Sequence, residues 1–173
     1  GGVRAVELVV AAGAVGDEER AIAVGGFDAL HFARDEIECF VPGDRRELPF
    51  AAFADAGRLA AWWGPDGFSS TFEVFEFKAQ GRWTFVMHGP DGKNYPNDGV
   101  FLEASQQSII VRHISPPHFT LTMTLTEEGG NTTLAWHQVF DDPRVAASLA
   151  HIIVPANEQN LNRLHAVLLA AGT

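Results

Sequence analysis

Phe119-Thr120-Leu121-Thr122-Met123-Thr124-Leu125-Thr126 alternates without a break between large apolar residues and threonine. Successive side chains of a β-strand point to opposite faces, so a period of two predicts a strand with one buried and one wet face. Strands of all-parallel sheets are buried on both sides and read as continuous apolar runs. The alternation here therefore predicts an antiparallel sheet.

The neighbouring segments extend that reading in both directions. Strands are predicted over 71–77, 82–88, 99–104 and 108–114 before the alternating run at 118–126, and over 132–140 after it. The connections hold Gln80-Gly81, Gly89-Pro90-Asp91-Gly92, Pro116-Pro117 and Gly129-Gly130-Asn131, all of them turn formers. No helical segment intervenes, so six consecutive strands form one antiparallel sheet. Upstream, 37–41 is a short strand closed by Pro42-Gly43. Asp44 with Glu47 three residues on predicts a capped helix reaching Ala56. A second short helix over 56–62 stops at Gly64-Pro65.

Downstream of the sheet, Asp142-Pro143 opens a turn, and a long helix is expected from Ala147 or Pro155 onward. Its stripe reads Ile153, Asn157, Leu161, Leu164, Leu168, with Glu158, Asn162 and Arg163 falling away from it. Such a stripe needs a partner, and the uncovered sheet face is the large one available. The expected fold class is therefore α+β, a helix-grip arrangement in which a curved antiparallel sheet wraps around a long C-terminal helix. Residues 34–173 form that single domain, and 1–33 are an N-terminal extension that reads as a hairpin or as a helix.

Composition narrows the function mainly by exclusion. At 173 residues, 46% hydrophobic and 20% charged, the chain matches an ordinary globular domain. Twelve basic against 22 acidic residues give a net charge of −10, which argues against a nucleic-acid partner. The apolar run at 8–16 is too short to span a bilayer and lacks a basic flank, so no membrane partner and a cytoplasmic location are expected. The single cysteine, Cys39, excludes an intrachain disulfide and a zinc site of several thiolates; a small buried apolar role is expected of it.

Trp62-Trp63-Gly64-Pro65-Asp66-Gly67-Phe68, placed after a helix, resembles the Trp-Trp-Gly-Pro signature of bacterial proteins similar to the C-terminal domain of the heat-shock-protein-90 ATPase activator. These belong to the START and birch-pollen-allergen-like (SRPBCC) superfamily. Gly81-Arg82-Trp83, Met87-His88-Gly89-Pro90-Asp91-Gly92, Gly99 and Asn160-Leu161-Asn162-Arg163-Leu164 follow in the family's order, so that the resemblance covers roughly 34–171. It departs at Glu76, Lys78, Gln80 and Gly81, where the family usually has Asp, a basic residue and two glycines. The resemblance implies a cavity between sheet and helix. It does not imply a reaction, since members bind lipids, hormones or polyketides and some catalyse cyclisation or hydrolysis.

Strand parity proposes the lining. Trp83, Phe85 and Met87 share one strand face; Phe119, Leu121 and Met123 share a second; Trp136 and Phe140 share a third. Phe68 and Phe72 would close the cavity from the loop side, with Asn157, Leu161 and Leu164 on the helix. Thirteen Phe and four Trp are many for one sheet and one helix to bury, which favours a pocket over a solid core. Of the two adjacent tryptophans, one is expected to anchor the core and the other to lie near the cavity mouth.

Catalytic chemistry finds little support. The seven histidines show no metal-ligand spacing, no nucleophile has a base beside it, and Asp141-Asp142 reads as a solvated turn. Neither metal nor cofactor is expected. His113, Gln138 and Asn157 are the polar groups placed to meet a ligand. The expected function is binding of a small apolar or aromatic molecule. A cyclase-like or hydrolase-like enzyme using the same cavity is the alternative, and a chaperone regulator is a third reading. Because Val6, Leu8, Val9, Val10, Ile22 and Phe27 are apolar, the extension is expected to cover a sheet edge or a second copy in a homodimer.

Overall fold

A computed structural model describes residues 9–10, 37–42, 47–128 and 131–171. Along the chain the elements are β1 (Val9–Val10), β2 (Ile37–Pro42), α1 (Glu47–Ala54), α2 (Ala56–Trp62), β3 (Ser69–Phe75), β4 (Arg82–His88), β5 (Asn94–Ala104), β6 (Ser108–His113), β7 (Phe119–Glu128), β8 (Asn131–Phe140) and α3 (Pro143–Ala171). The eight strands form one sheet in the order β1-β2-β8-β7-β6-β5-β4-β3, and every neighbouring pair is antiparallel. The six consecutive strands β3 to β8 are thus a meander, and β2 closes onto β8. With α3 laid on the inner face, this is the helix-grip fold the sequence predicts. Apart from Val9–Val10, the expected extension 1–33 lies outside the described residues, as does the proposed cap at Asp44.

Two boundaries differ from expectation. β5 begins at Asn94 rather than 99, because β4 keeps pairing as far as His88↔Asn94. Residues 94–98 lie outside the strands predicted from sequence. Yet Pro96 lies beyond the last β6 register pair, Gly99↔His113, so β4 alone flanks it, the edge position where a strand tolerates proline. α3 begins at Pro143 and runs unbroken through Pro155. Pro155 faces solvent, where water can satisfy the carbonyl that its missing N–H leaves free.

The inner face follows the pleat with two corrections. Phe72 pairs with Phe85 and Phe75 with Trp83, because the register shifts between Phe72 and Val74. The shift brings two aromatic rings to the inner face where strict alternation would bring one. A second shift lies between Phe101 and Glu103. Phe101, Ile109, Met123, Leu134 and, from α3, Leu161 and Leu164 are buried together.

Helix α2 is capped by Asp55, whose Oδ1 accepts the Arg58 N–H at 2.9 Å. Its last residue, Trp62, is fully buried, lies edge-on to Phe53 at 4.7 Å and donates its indole N–H to Ala52 O at 3.1 Å. Trp62 is the anchor of the two tryptophans.

The loop after it is held by α3. Gly64 adopts φ +119°, which L side chains rarely take, and its N–H donates to Asn160 Oδ1 at 2.7 Å. Arg163 Nη1 donates to the carbonyls of Gly64 (2.6 Å), Pro65 (3.1 Å) and Phe68 (3.1 Å), and Nη2 donates to Ala61 O (3.2 Å). Sequence periodicity sets Arg163 away from the buried stripe as though it were solvated. Its guanidinium instead supplies donors to carbonyls that the end of α2 leaves without helical partners.

The turn that departs from the family pattern is also resolved. Gln80 takes the left-handed conformation (φ 62°), not Gly81. Gly81 is required for another reason: a Cβ there would stand 1.9 Å from Glu76 O.

Candidate functional site

Between the inner sheet face and α3 lies a partly enclosed cavity of about 120 Å³. Its aromatic wall is Trp63, Trp83, Phe85, Phe119 and Trp136. Trp63, the second tryptophan of the pair, contacts three of the others, at 4.9 Å (Trp83), 6.5 Å (Phe85) and 5.7 Å (Trp136). Met87, Val111 and Leu121 complete the apolar part. Five polar side chains enter it: Asn97, His113, Gln138, Asn157 and Asn160.

Most of these polar groups are already engaged. Asn157 Nδ2 donates to Gln138 Oε1 at 2.9 Å, tying α3 to β8 across the cavity. Asn160 holds the Gly64 loop. His113 is buried and stacks on Phe119, with ring centres 4.4 Å apart and planes 8° from parallel. His113 Nδ1 lies 2.9 Å from Pro117 O, where only an N–H can bond. In the neutral ring Nε2 is then an acceptor, facing the Ser115 hydroxyl at 3.3 Å. Asn97 Nδ2 donates to Tyr95 O, which turns Asn97 Oδ1 toward His113 Nε2 at 2.9 Å, a contact that a second ring proton would convert into a hydrogen bond. Burial opposes that proton most strongly and holds the His113 pKa below its ordinary 6.5. The indole N–H groups of Trp83 and Trp136 are buried without a hydrogen-bond partner.

A smaller pocket of about 20 Å³ adjoins this cavity and shares Trp136, Gln138 and Asn157 with it; Phe140 lines that pocket, with Ala146, Ala150 and Ile153. Of the residues nominated from sequence, Trp83, Phe85, Met87, His113, Phe119, Leu121, Trp136, Gln138 and Asn157 surround the main cavity. Besides Phe140, five nominees do not line it. Met123, Leu161 and Leu164 are fully buried in the solid core, Phe72 packs on Phe85 at 5.2 Å, and Phe68 on Tyr95 at 5.9 Å. Parity assigns a residue to a face but not to a position along the strand, and the cavity occupies only part of the face. Asn97 lies in the part of β5 that precedes the strand predicted from 99. Val111 and Asn160 were within reach of parity (two residues from His113) and of helical spacing (three from Asn157).

Among the described residues, the acidic pair after β8 is held by arginines. Asp141 is bound by Arg112 through contacts of 2.6 and 2.5 Å, which hold its carboxyl below the ordinary carboxylate range, and Asp142 is bound by Arg144. Among the described residues no cluster of three or more His, Cys, Asp or Glu could hold a metal ion, and no helix is long and apolar enough to cross a membrane.

Solved structures share this architecture. A protein from Arthrobacter aurescens aligns with a TM-score of 0.67 at 19% identity, covering 77% of this chain and 85% of its own. One from Nitrosomonas europaea gives 0.67 at 17% identity, over 79% and 97%. The AHSA1 protein of Silicibacter pomeroyi gives 0.58 at 19% identity, over 78% and 99%. At these identities the likeness is one of fold. Among curated proteins none matches the chain. The sequence model of one family does match, over residues 45–168, which span the Trp-Trp-Gly-Pro loop, the whole meander and the helix that clasps them. The chain belongs to the family of Activator of Hsp90 ATPase homolog 1-like proteins.

Proposed function

We propose that the protein binds a small apolar or aromatic molecule in the cavity between the sheet and α3. The observation that carries this reading is a space of about 120 Å³ walled by three tryptophans, with five polar side chains in its lining. An engineered apolar cavity of about 150 Å³ takes up benzene, whereas pockets for drug-sized ligands span roughly 300–1,000 Å³. The occupant is therefore about one ring in size. Binding is driven by apolar burial at roughly 25 cal/mol per Å², less the cost of ordering, and involves no covalent step.

Titration with single-ring aromatic compounds, followed by tryptophan fluorescence, tests the reading. A saturable change that is lost in Asn157→Phe is expected. No saturable change with any such compound would leave the cavity without a ligand.

Family membership favours a second reading, regulation of a chaperone ATPase. Stimulation of heat-shock protein 90 ATPase activity by the purified chain would support it, and an unchanged ATPase rate would remove it. An enzymatic use of the cavity would rest on His113, Gln138 and Asn157, and no nucleophile accompanies them. Homodimerisation through residues 1–33 and a cytoplasmic location remain part of the proposal. Light scattering at tens of micromolar decides the first.

A further inference from the structure

Two spaces lie between β8 and α3, and their linings meet at a bonded pair of amides. On α3 the small pocket takes Ala146, Ala150, Ile153 and Val154, the main cavity takes Asn160, and Asn157 belongs to both. On β8, Phe140 belongs to the small pocket alone, while Gln138 is shared along with Trp136. Asn157 Nδ2 donates to Gln138 Oε1 at 2.9 Å. The two side chains thus form a crossbar from helix to sheet where one space gives way to the other.

Apart from this pair the small pocket is apolar, and two of its residues are alanines whose short side chains leave room. Its volume of about 20 Å³ accommodates about one water-sized group. An alkyl tail passing into it from the main cavity would have to part the two amides and bury them unpaired against hydrocarbon. Truncation of Asn157 to alanine would free the room of its amide carbon, oxygen and nitrogen and join the two spaces.

We infer that the Asn157–Gln138 hydrogen bond sets the length of ligand the site accepts: closed, it confines a neutral occupant to a single ring and bars an alkyl tail from the small pocket. This rests on the cavity-binding reading above. Among the described residues no charged side chain lines either space, so neutral probes suit both.

The test is calorimetric titration of the full chain with 4-methylphenol, 4-ethylphenol and 4-propylphenol, whose tails grow one carbon at a time. All three are neutral at about pH 7, since a phenol titrates at about 10. The parent should bind 4-propylphenol about fivefold more weakly than 4-methylphenol, the worth of one hydrogen bond forfeited. In Asn157→Ala the order should reverse, with affinity rising up to about fourfold for each added CH2. Ala150→Leu, added to that variant, should plug the small pocket and cancel the rise. If Asn157→Ala fails to fold, Gln138→Ala opens the same bond from the strand side.

Affinity in the parent that holds or rises with tail length would overturn the inference and leave the cavity reading intact. So would a uniform change across the series in Asn157→Ala, the mark of a merely structural role, or a rise that survives Ala150→Leu. Binding of none of the phenols, to parent or variant, would overturn both.

Discussion

At one end of the inner sheet face, Phe75 and Phe77 meet Phe101 edge to face at 5.8 and 5.2 Å, and Trp83 reaches the same ring at 5.1 Å. Elsewhere on the same face, inward positions carry Asn97, His113 and Gln138, and the space against α3 stays open. Both parts obey the same pleat. They differ in what the inward side chains can do with a neighbour. Aromatic rings interdigitate in edge-to-face contacts that gain dispersion from every atom. Amides and an imidazole must first satisfy their hydrogen bonds, and the geometry of those bonds holds the walls apart. Polar residues at inward positions thus both keep the cavity open and furnish its chemistry.

The contrast predicts unequal costs of substitution. Trp62→Ala, in the packed half, should destabilise by about 3–5 kcal/mol, as truncation of a fully buried large aromatic does. A urea midpoint implying less than about 1 kcal/mol would show that the packed half tolerates a void. Gly81→Ala, in the turn tied to the same half through Phe101 N–H→Gly81 O at 2.8 Å, should cost about 2–3 kcal/mol because the new Cβ meets a backbone carbonyl.

The open half should respond in binding more than in stability. Asn157→Phe fills the cavity and removes the bond to Gln138; single-ring ligands should lose at least about tenfold in affinity, or about 1.4 kcal/mol. The urea midpoint should shift less than in Trp62→Ala. Leu161→Trp is not an equivalent probe, because Leu161 belongs to the solid core and a larger ring there would overpack it.

His113 adds a pH dependence to the open half. Its folded pKa lies below 6.5, so on acidification the unfolded chain takes up the proton first. Stability should be flat above about pH 6.5 and fall as the pH drops below it, down to the folded pKa. His113→Gln should flatten that slope. Asp141 and Asp142, whose carboxyls are held below the ordinary 3.8, act only at lower pH, and their exposure keeps their contribution small. The smallest effect belongs to Gln80→Gly, which relieves a positive φ and should stabilise by about 0.5–1 kcal/mol in the same melts.

By itself, the amino-acid sequence determined the antiparallel meander, the terminal helix and the family. Alternation such as that of 119–126, and turn formers such as Gly89-Pro90-Asp91-Gly92, are local, and each states its backbone preference within a few residues. The Trp-Trp-Gly-Pro loop carried the family in the same local way. Local pattern did not reveal that Pro96 stands inside a strand, because that depends on where the neighbouring strand ends. Nor did it reveal that Arg163 clasps a loop about a hundred positions away, or that Trp136 walls an opening while Met123, its register partner on β7, is sealed in the core. Those outcomes depend on depth along the sheet and on which groups meet across it. Periodicity records which way a side chain points; only the assembled tertiary structure settles how far from its neighbours it comes to rest.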